Sequence, residues 1–272
     1  MRLLGMVLGL LAAPAWALAQ CVPVDFMTLP LPGFGDPQEM ALEAAYPGSD
    51  LDVAAARFRT PDGTMVPYAP ARDVTPAARL DGATLGDMFV YVYPLDFDLE
   101  ERRTPWADPG RIRSDALFRA LYSDSAAAAA ATMQRLEFNS GELSVPFLMT
   151  DRNCVATQMA AAISEVSAMS PAFDIYFENY GGSFNWRVID GTNRLSSHSF
   201  GAAFDLNVDL GGYWRWAGVP EGQVVDYDNQ MPAKLVQAFE RYGFVWGGKW
   251  NHYDGMHFEF RPELILYARL TD

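Results

Sequence analysis

Cysteine is nearly absent from this chain of 272 residues: only Cys21 and Cys154 occur. There is no C-x-x-C pair, which excludes a cysteine-based zinc site. Histidine is as scarce, with His198, His252 and His257 all in the last ninety residues. An excess of positive charge is also missing. The formal net charge is −14 and the pI about 4.5. Such a surface repels phosphate backbones and has no attraction for anionic lipid, so nucleic-acid binding and electrostatic membrane attachment are excluded. No internal repeat occurs, and no segment has the roughly 20 apolar residues that a membrane span needs.

The N-terminus carries an address. Arg2 is the only charge before Asp25, and LLGMVLGLLAAPAWALA follows it. Ala17-Leu18-Ala19 fits a small-x-small cleavage site, so residues 1–19 are expected to be a secretory signal peptide. The protein is then exported to the periplasm or beyond. Gln20 is too large for the small residue that a lipoprotein site needs before its cysteine. In an oxidising compartment two cysteines commonly pair, and a Cys21–Cys154 bridge is expected. It would close a long loop, worth about 4–5 kcal/mol on the chain-entropy model.

Half the residues are hydrophobic, enough for a sizeable core. Residues 20–112 read as an N-terminal extension and 113–272 as the main domain. PLPGFGDP is a lead-in, with a short helix near 39–45. Pro61-Asp62-Gly63 suggests a hairpin turn. DMFVYVYPL (87–95) is rich in aromatic and β-branched residues and is expected to be a strand. DLEERRTPWADPGRIR, polar and broken by prolines, marks the boundary. Ser114 is placed to cap a helix over DALFRALY, and SDSAAAAAATMQRL should continue as helix because alanine has the best propensity. VPFLM (145–149) and FDIYFE (173–178) read as strands around an amphipathic helix at 153–167. AAFDLNVD (202–209) alternates apolar and polar as a strand does. PAKLVQAFERYG is a helix, with Pro232 in its first turn and Gly243 as its stop. FVW and HFEF are strands.

The chemistry gathers in the same C-terminal stretch. In SSHSFGAAFD, His198 sits in a turn and Asp205 on the polar face of the following strand. A gap of seven rules out a helical pair, but a loop that doubles back can bring both side chains together. Imidazole nitrogen and carboxylate oxygen suit zinc. In WGGKWNHYDGMHFEF, His257 opens a strand and Asp254 precedes it by three, across Gly255. His257 would be the third ligand, with a fourth position open for water as in catalytic sites. HYDGMH also offers His252, either as that ligand or as a lining residue. Asp254 is placed to move a proton between the water and a leaving amine. Arg187 and Arg194 flank the first cluster and suit a carboxylate or an oxyanion. Trp186, Trp214, Trp216, Trp246 and Trp250 are available for cleft walls or core.

These residues carry a resemblance. GSFNWRVIDGTNRLSSHSFGAAFDLN, then WGGKWNHYDGMHFEF, resembles the D-alanyl-D-alanine carboxypeptidase and L-alanyl-D-glutamate endopeptidase family. Ser196, His198, Gly201, Ala203 and Asp205 match its S-x-H-x-x-G-x-A-x-D pattern. Trp246, Gly247, Gly248, Asp254 and His257 match its W-G-G and D/E-x-x-H elements. The resemblance implies zinc on His198, Asp205 and His257, Asp254 as general base, and Arg187 as a substrate contact. Ser196, Arg194, Trp246 and His252 are then expected to line the substrate cleft. It implies an α+β fold, an antiparallel sheet with helices mainly on one side and zinc on the open face. It implies hydrolysis of peptidoglycan stem peptides by a chain expected to be monomeric. The alternative is an exported cell-wall-binding protein that has lost catalysis, since fold alone does not guarantee activity.

Overall fold

A computed structural model describes residues 21–169, 171–223 and 226–271. The expected signal peptide lies outside the described residues. The lead-in reaches α1 (Pro37–Ala45), whose cap is Asp36: its carboxylate accepts from the amides of Gln38 and Glu39. Pro37 stands in the first turn, where a missing N–H costs nothing. Strands β1 (Asp50–Asp52), β2 (Arg57–Arg59) and β3 (Met65–Pro67) form a small antiparallel sheet. The expected Pro61-Asp62-Gly63 turn joins β2 to β3, with the Asp62 carboxylate accepting from Thr60 Oγ1 and the Thr64 amide.

After α2 (Pro76–Leu80) comes α3 (Asp115–Leu121), capped by Ser114 as expected. Then follow α4 (Ala126–Ala130), the hairpin of β4 (Met133–Ser140) and β5 (Leu143–Thr150), and α5 (Val155–Ser167). The C-terminal part holds β6 (Tyr180–Gly182), β7 (Ala203–Asn207), α6 (Val208–Gly211), α7 (Ala233–Arg241), β8 (Phe244–Trp246), β9 (His257–Phe260) and α8 (Pro262–Thr271). Its four strands form one antiparallel sheet in the order β6-β7-β9-β8. The fold is α+β with antiparallel pairing throughout, but in three sheets among the described residues rather than one.

Four expectations fail, three to a tertiary interaction and one to a local cap. Residues 87–95 are no strand: Gly86–Phe89 is a turn of 3₁₀ helix. Asp87 is fully buried there and accepts from the amides of Arg72 and Thr84 and from Arg72 Nε. That carboxylate folds the chain back and forbids extension. The alanine helix ends at Ala130, and MQRLEFNS pairs along its whole length with LSVPFLMT. Cross-strand packing outweighs helix propensity there. FDIYFE is a 3₁₀ turn at Asp174–Tyr176, because Phe177 stacks on Phe138 of β4 with centroids 3.8 Å apart and Asp174 accepts from Ser140 Oγ. The strand expected at 202–209 stops at Asn207, whose side chain caps α6.

One hydrophobic cluster takes residues from both halves of the chain: Phe26, Leu42, Phe58 and Met88 with Phe147, Phe204 and Phe258. Polar contacts reinforce it. The hydroxyl of Tyr93 donates to Glu240 and accepts from the Trp246 amide. Lys249 is buried against the same Glu240 at 2.6 Å. Cys21 and Cys154 are joined as expected, fixing residue 21 at the start of α5 across 133 positions of sequence. Replacing both cysteines by serine should lower stability by about 2–5 kcal/mol through loss of that constraint on the unfolded chain. Guanidinium unfolding of wild type and double variant, each oxidised, measures it. An unchanged midpoint would mean that the closed loop contributes nothing.

Candidate metal centre

The two histidine clusters are brought together by the four-stranded sheet. Ser196 begins a 3₁₀ turn over Ser197–Phe200, its hydroxyl accepting from the His198 amide. Gly201 ends the turn at φ +64°, where a Cβ would strike Met133 and the Thr150 backbone. The chain then reverses into β7, so that His198 hangs over that strand. Asp205 lies directly opposite His257 in the β7–β9 register. The Asp254-Gly255 turn feeds β9, with the His257 amide bonded to the Asp254 carbonyl.

Three ligand atoms converge as a result. His257 Nδ1 is 2.9 Å from Asp205 Oδ1, and His198 Nε2 is 3.2 Å from both. All three side chains are mostly buried. The outer nitrogens are already committed. His198 Nδ1 donates to the Ser183 carbonyl at 2.5 Å, and a carbonyl can only accept. His257 Nε2 lies 3.3 Å from Glu259 Oε2 and 3.3 Å from Ser197 Oγ, and donates to the carboxylate. The inner nitrogens, His198 Nε2 and His257 Nδ1, therefore present lone pairs to each other and to a carboxylate. Only a proton or a cation between them relieves that arrangement.

Electrostatics agree with the geometry. Burial works against the charge on Asp205, but the imidazoles of His198 and His257 outweigh it and hold its carboxyl well below the usual range. Burial alone would depress His257, yet its hydrogen bonds to Asp205 and Glu259 push it up to about 9. The centre holds one positive charge tightly, and a metal ion is the alternative to the proton. The donors fit zinc: bonds of about 2.0–2.1 Å in a tetrahedron put ligand atoms about 3.3 Å apart, close to the spacing here. His198, Asp205 and His257 thus form a group that can bind a metal.

Glu259 anchors this centre from behind. It stands two residues after His257 on the same face of β9, and is fully buried between Arg113 (2.8 Å) and Arg261 (2.9 Å). Arg261 continues to Glu263, which accepts from the Tyr46 hydroxyl. Burial opposes charge on Glu259, but Arg113, the His257 hydrogen bond and Arg261 overcome it and hold the carboxyl low. Strand alternation makes Glu259 readable beside His257 in HFEF. Arg113 carried no such signal.

The centre lies in a cavity of about 450 Å³. Half-buried Asp254 lines it with buried Ser196 and Trp250 and exposed Trp216. Burial raises the Asp254 carboxyl, the charge of Asp205 adds to this, and His257 and Arg111 temper it. Five arginines also line the cavity: Arg111, Arg113, Arg187, Arg194 and Arg215. Arg187 is exposed, whereas Arg194 is half-buried, 3.5 Å from Asp81, and pushed down to about 10 by burial. Two residues expected in the cleft do not line it. Trp246 is fully buried, stacked on Phe97, and donates from Nε1 to the Gly255 carbonyl beneath the Asp-Gly turn. His252 is buried with Nδ1 on Asp108 at 2.5 Å and Nε2 accepting from the Gly222 amide.

A family model described as D-alanyl-D-alanine carboxypeptidase matches residues 190–260, about a quarter of the chain. That segment, with His198, Asp205, Asp254 and His257 inside it, is similar to this peptidase family. No curated protein and no solved structure matches the chain.

Glu259→Gln would leave Arg113 and Arg261 buried without their shared counter-charge. It should cost about 3–5 kcal/mol, the range for breaking one side of a buried ion pair. Guanidinium unfolding of the metal-free protein measures this, and a loss below about 1 kcal/mol would show that the row of charges is not needed to hold β9.

Proposed function

We propose that this protein is an exported zinc peptidase that hydrolyses peptide bonds in peptidoglycan stem peptides. The reading rests on one observation above all: three convergent donors lining a cavity, with a second carboxylate, that of Asp254, lining it too. The family match supports the peptidase activity. The disulfide supports export, because such bonds persist in oxidising compartments. Residues 1–19 would direct that export, residues 20–112 form an extension, and residues 113–272 carry the catalytic domain.

In this reading His198, Asp205 and His257 hold the zinc. The chemistry that zinc supplies in such a site is Lewis-acid activation of water and of the scissile carbonyl. Asp254 takes the proton from the attacking water and returns it to the leaving amine, and a carboxyl raised by burial suits both tasks. Ser183 and Glu259 hold the outer nitrogens of the imidazoles, so that the inner nitrogens would be free to ligate zinc. Arg187, at the exposed rim, meets a carboxylate or the carbonyl oxygen of the incoming peptide, and Arg194 and Ser196 line its path.

The test pairs metal analysis with digestion of muropeptides followed by mass spectrometry. Wild type should carry one zinc per chain and cleave stem peptides. His198→Ala, Asp205→Ala and His257→Ala should lose the metal. Asp254→Ala should keep the metal and lose about 10²–10⁴-fold in turnover, the usual worth of a positioned proton carrier. A metal-replete wild type that binds but does not cleave stem peptides would instead establish a cell-wall-binding protein.

A further inference from the structure

The segment 106–113 lies outside the matched stretch, yet it is built into the wall of the cavity. The Trp106 amide donates to Asn251 Oδ1, and the Asn251 amide donates to the Ala107 carbonyl. Asp108 holds both the amide and the ring of His252. The Gly110 carbonyl accepts from Arg261 Nη1, and at φ +123° a Cβ on Gly110 would collide with the Trp250 ring. These contacts deliver Arg111 and Arg113 to the metal centre from the far half of the chain. Arg113 is consumed by Glu259.

Arg111 is differently placed. Its guanidinium lies over the Trp250 ring, 4.9 Å from the centroid, and that ring is 5.7 Å from the imidazole of His257. Nε donates to the His252 carbonyl at 2.8 Å, fixing the plane of the fork. Nη2 is buried, has no hydrogen-bond partner among the described residues, and stands 3.9 Å from Asp254 Oδ2. A buried charged donor left without an acceptor is costly. A rigid, oriented guanidinium with a free arm beside a metal site is a receptor for a carboxylate.

We propose that Arg111 binds a carboxylate of the substrate peptide through its free arm, and so makes the N-terminal region part of the specificity site. The inference rests on the peptidase reading for what the ligand is, but not for whether an anion binds. Five arginines and three aspartates line the same cavity, and although Arg194 and Arg215 have carboxylate neighbours in Asp81 and Glu221, the balance favours a ligand with negative charge. The resting neighbour of Nη2 is itself a carboxylate, that of Asp254, too far at 3.9 Å for a hydrogen bond. That distance leaves Nη2 without an acceptor, and an incoming carboxylate would supply one.

Calorimetric titration of the mature protein with the stem tripeptide L-alanyl-γ-D-glutamyl-L-lysine, and with its forms amidated at one carboxylate at a time, tests this. Wild type should lose about 10- to 100-fold in affinity on amidation of one carboxylate, the span of a charge-assisted hydrogen bond. Arg111→Gln should bind the parent peptide as weakly as wild type binds that amide, and should not distinguish the two. Arg111→Lys, charged but without the fork, should fall between. Zinc content and unfolding midpoint should match wild type in both variants, and in turnover assays KM should rise more than kcat falls. The proposal is overturned if Arg111→Gln loses the parent and all amidated forms equally, if kcat alone falls, or if no amidation affects wild-type binding. Wild type that binds the tripeptide with this carboxylate dependence, but cleaves no stem peptide, would sink the peptidase reading and leave Arg111's role standing.

Discussion

Asp205 and His257 face each other across β7 and β9, and the rest of the site is arranged around that one register. On the opposite faces of the same two strands, Phe204 stacks on Phe258 with rings nearly parallel at 5.1 Å. A slip of β9 by one residue would turn Phe258 and Phe260 toward the cavity and His257 and Glu259 into the hydrophobic layer. Both halves of that exchange are expensive. It would expose the aromatic layer and strand ionised groups in an apolar core. The candidate metal centre is therefore held by the same alternation that builds the core.

Behind that register runs a row of buried charges: Glu259 between Arg113 and Arg261, then Glu263 and Tyr46. Such rows are seldom a source of net stability, because desolvation offsets most of the attraction. Their consequence here is geometric. Each member has its partners only when α1, the segment at 106–113, β9 and α8 are all in place. The row thus ties the first half of the chain to the orientation of the His257 ring. It also reconciles an acidic protein with a cationic cavity. Charges on the outer surface are screened within about 8 Å at physiological salt, whereas arginines inside a concave, low-dielectric wall act on a bound ligand almost unscreened.

Much of the centre could be read from residue order, and less of the frame. His198 and Asp205 were legible as a pair because a loop that doubles back can bring a turn over the alternating strand that follows. The hairpin at Pro61-Asp62-Gly63, the Ser114 cap and α5 were legible because their signals are local. The failures at 87–95, 126–140 and 173–178 share a cause. A buried Asp87, a partner strand for MQRLEFNS and a ring stack on Phe138 all come from residues remote in sequence. Arg111 and Arg113 were hidden for the same reason, since polar, proline-broken sequence looks like a linker until its partners at 250–261 are known.

The choice between the two histidines of HYDGMH shows how the surroundings decide chemistry. Both rings are buried, His252 two residues before Asp254 and His257 two residues after Gly255. His252 has both nitrogens engaged, one by the Asp108 carboxylate and one by the Gly222 amide, and so can only bind segments together. His257 has one nitrogen engaged by Glu259 and one left facing Asp205 and His198. The carboxylate behind the ring fixes the proton on Nε2 and leaves the Nδ1 lone pair inward. At His198 the Ser183 carbonyl does the reverse, fixing Nδ1 and leaving Nε2. Two different nitrogens are presented because the rings approach from different directions, one along a strand and one from the turn above it. What makes the centre is therefore less the presence of histidine than the acceptor placed behind each one.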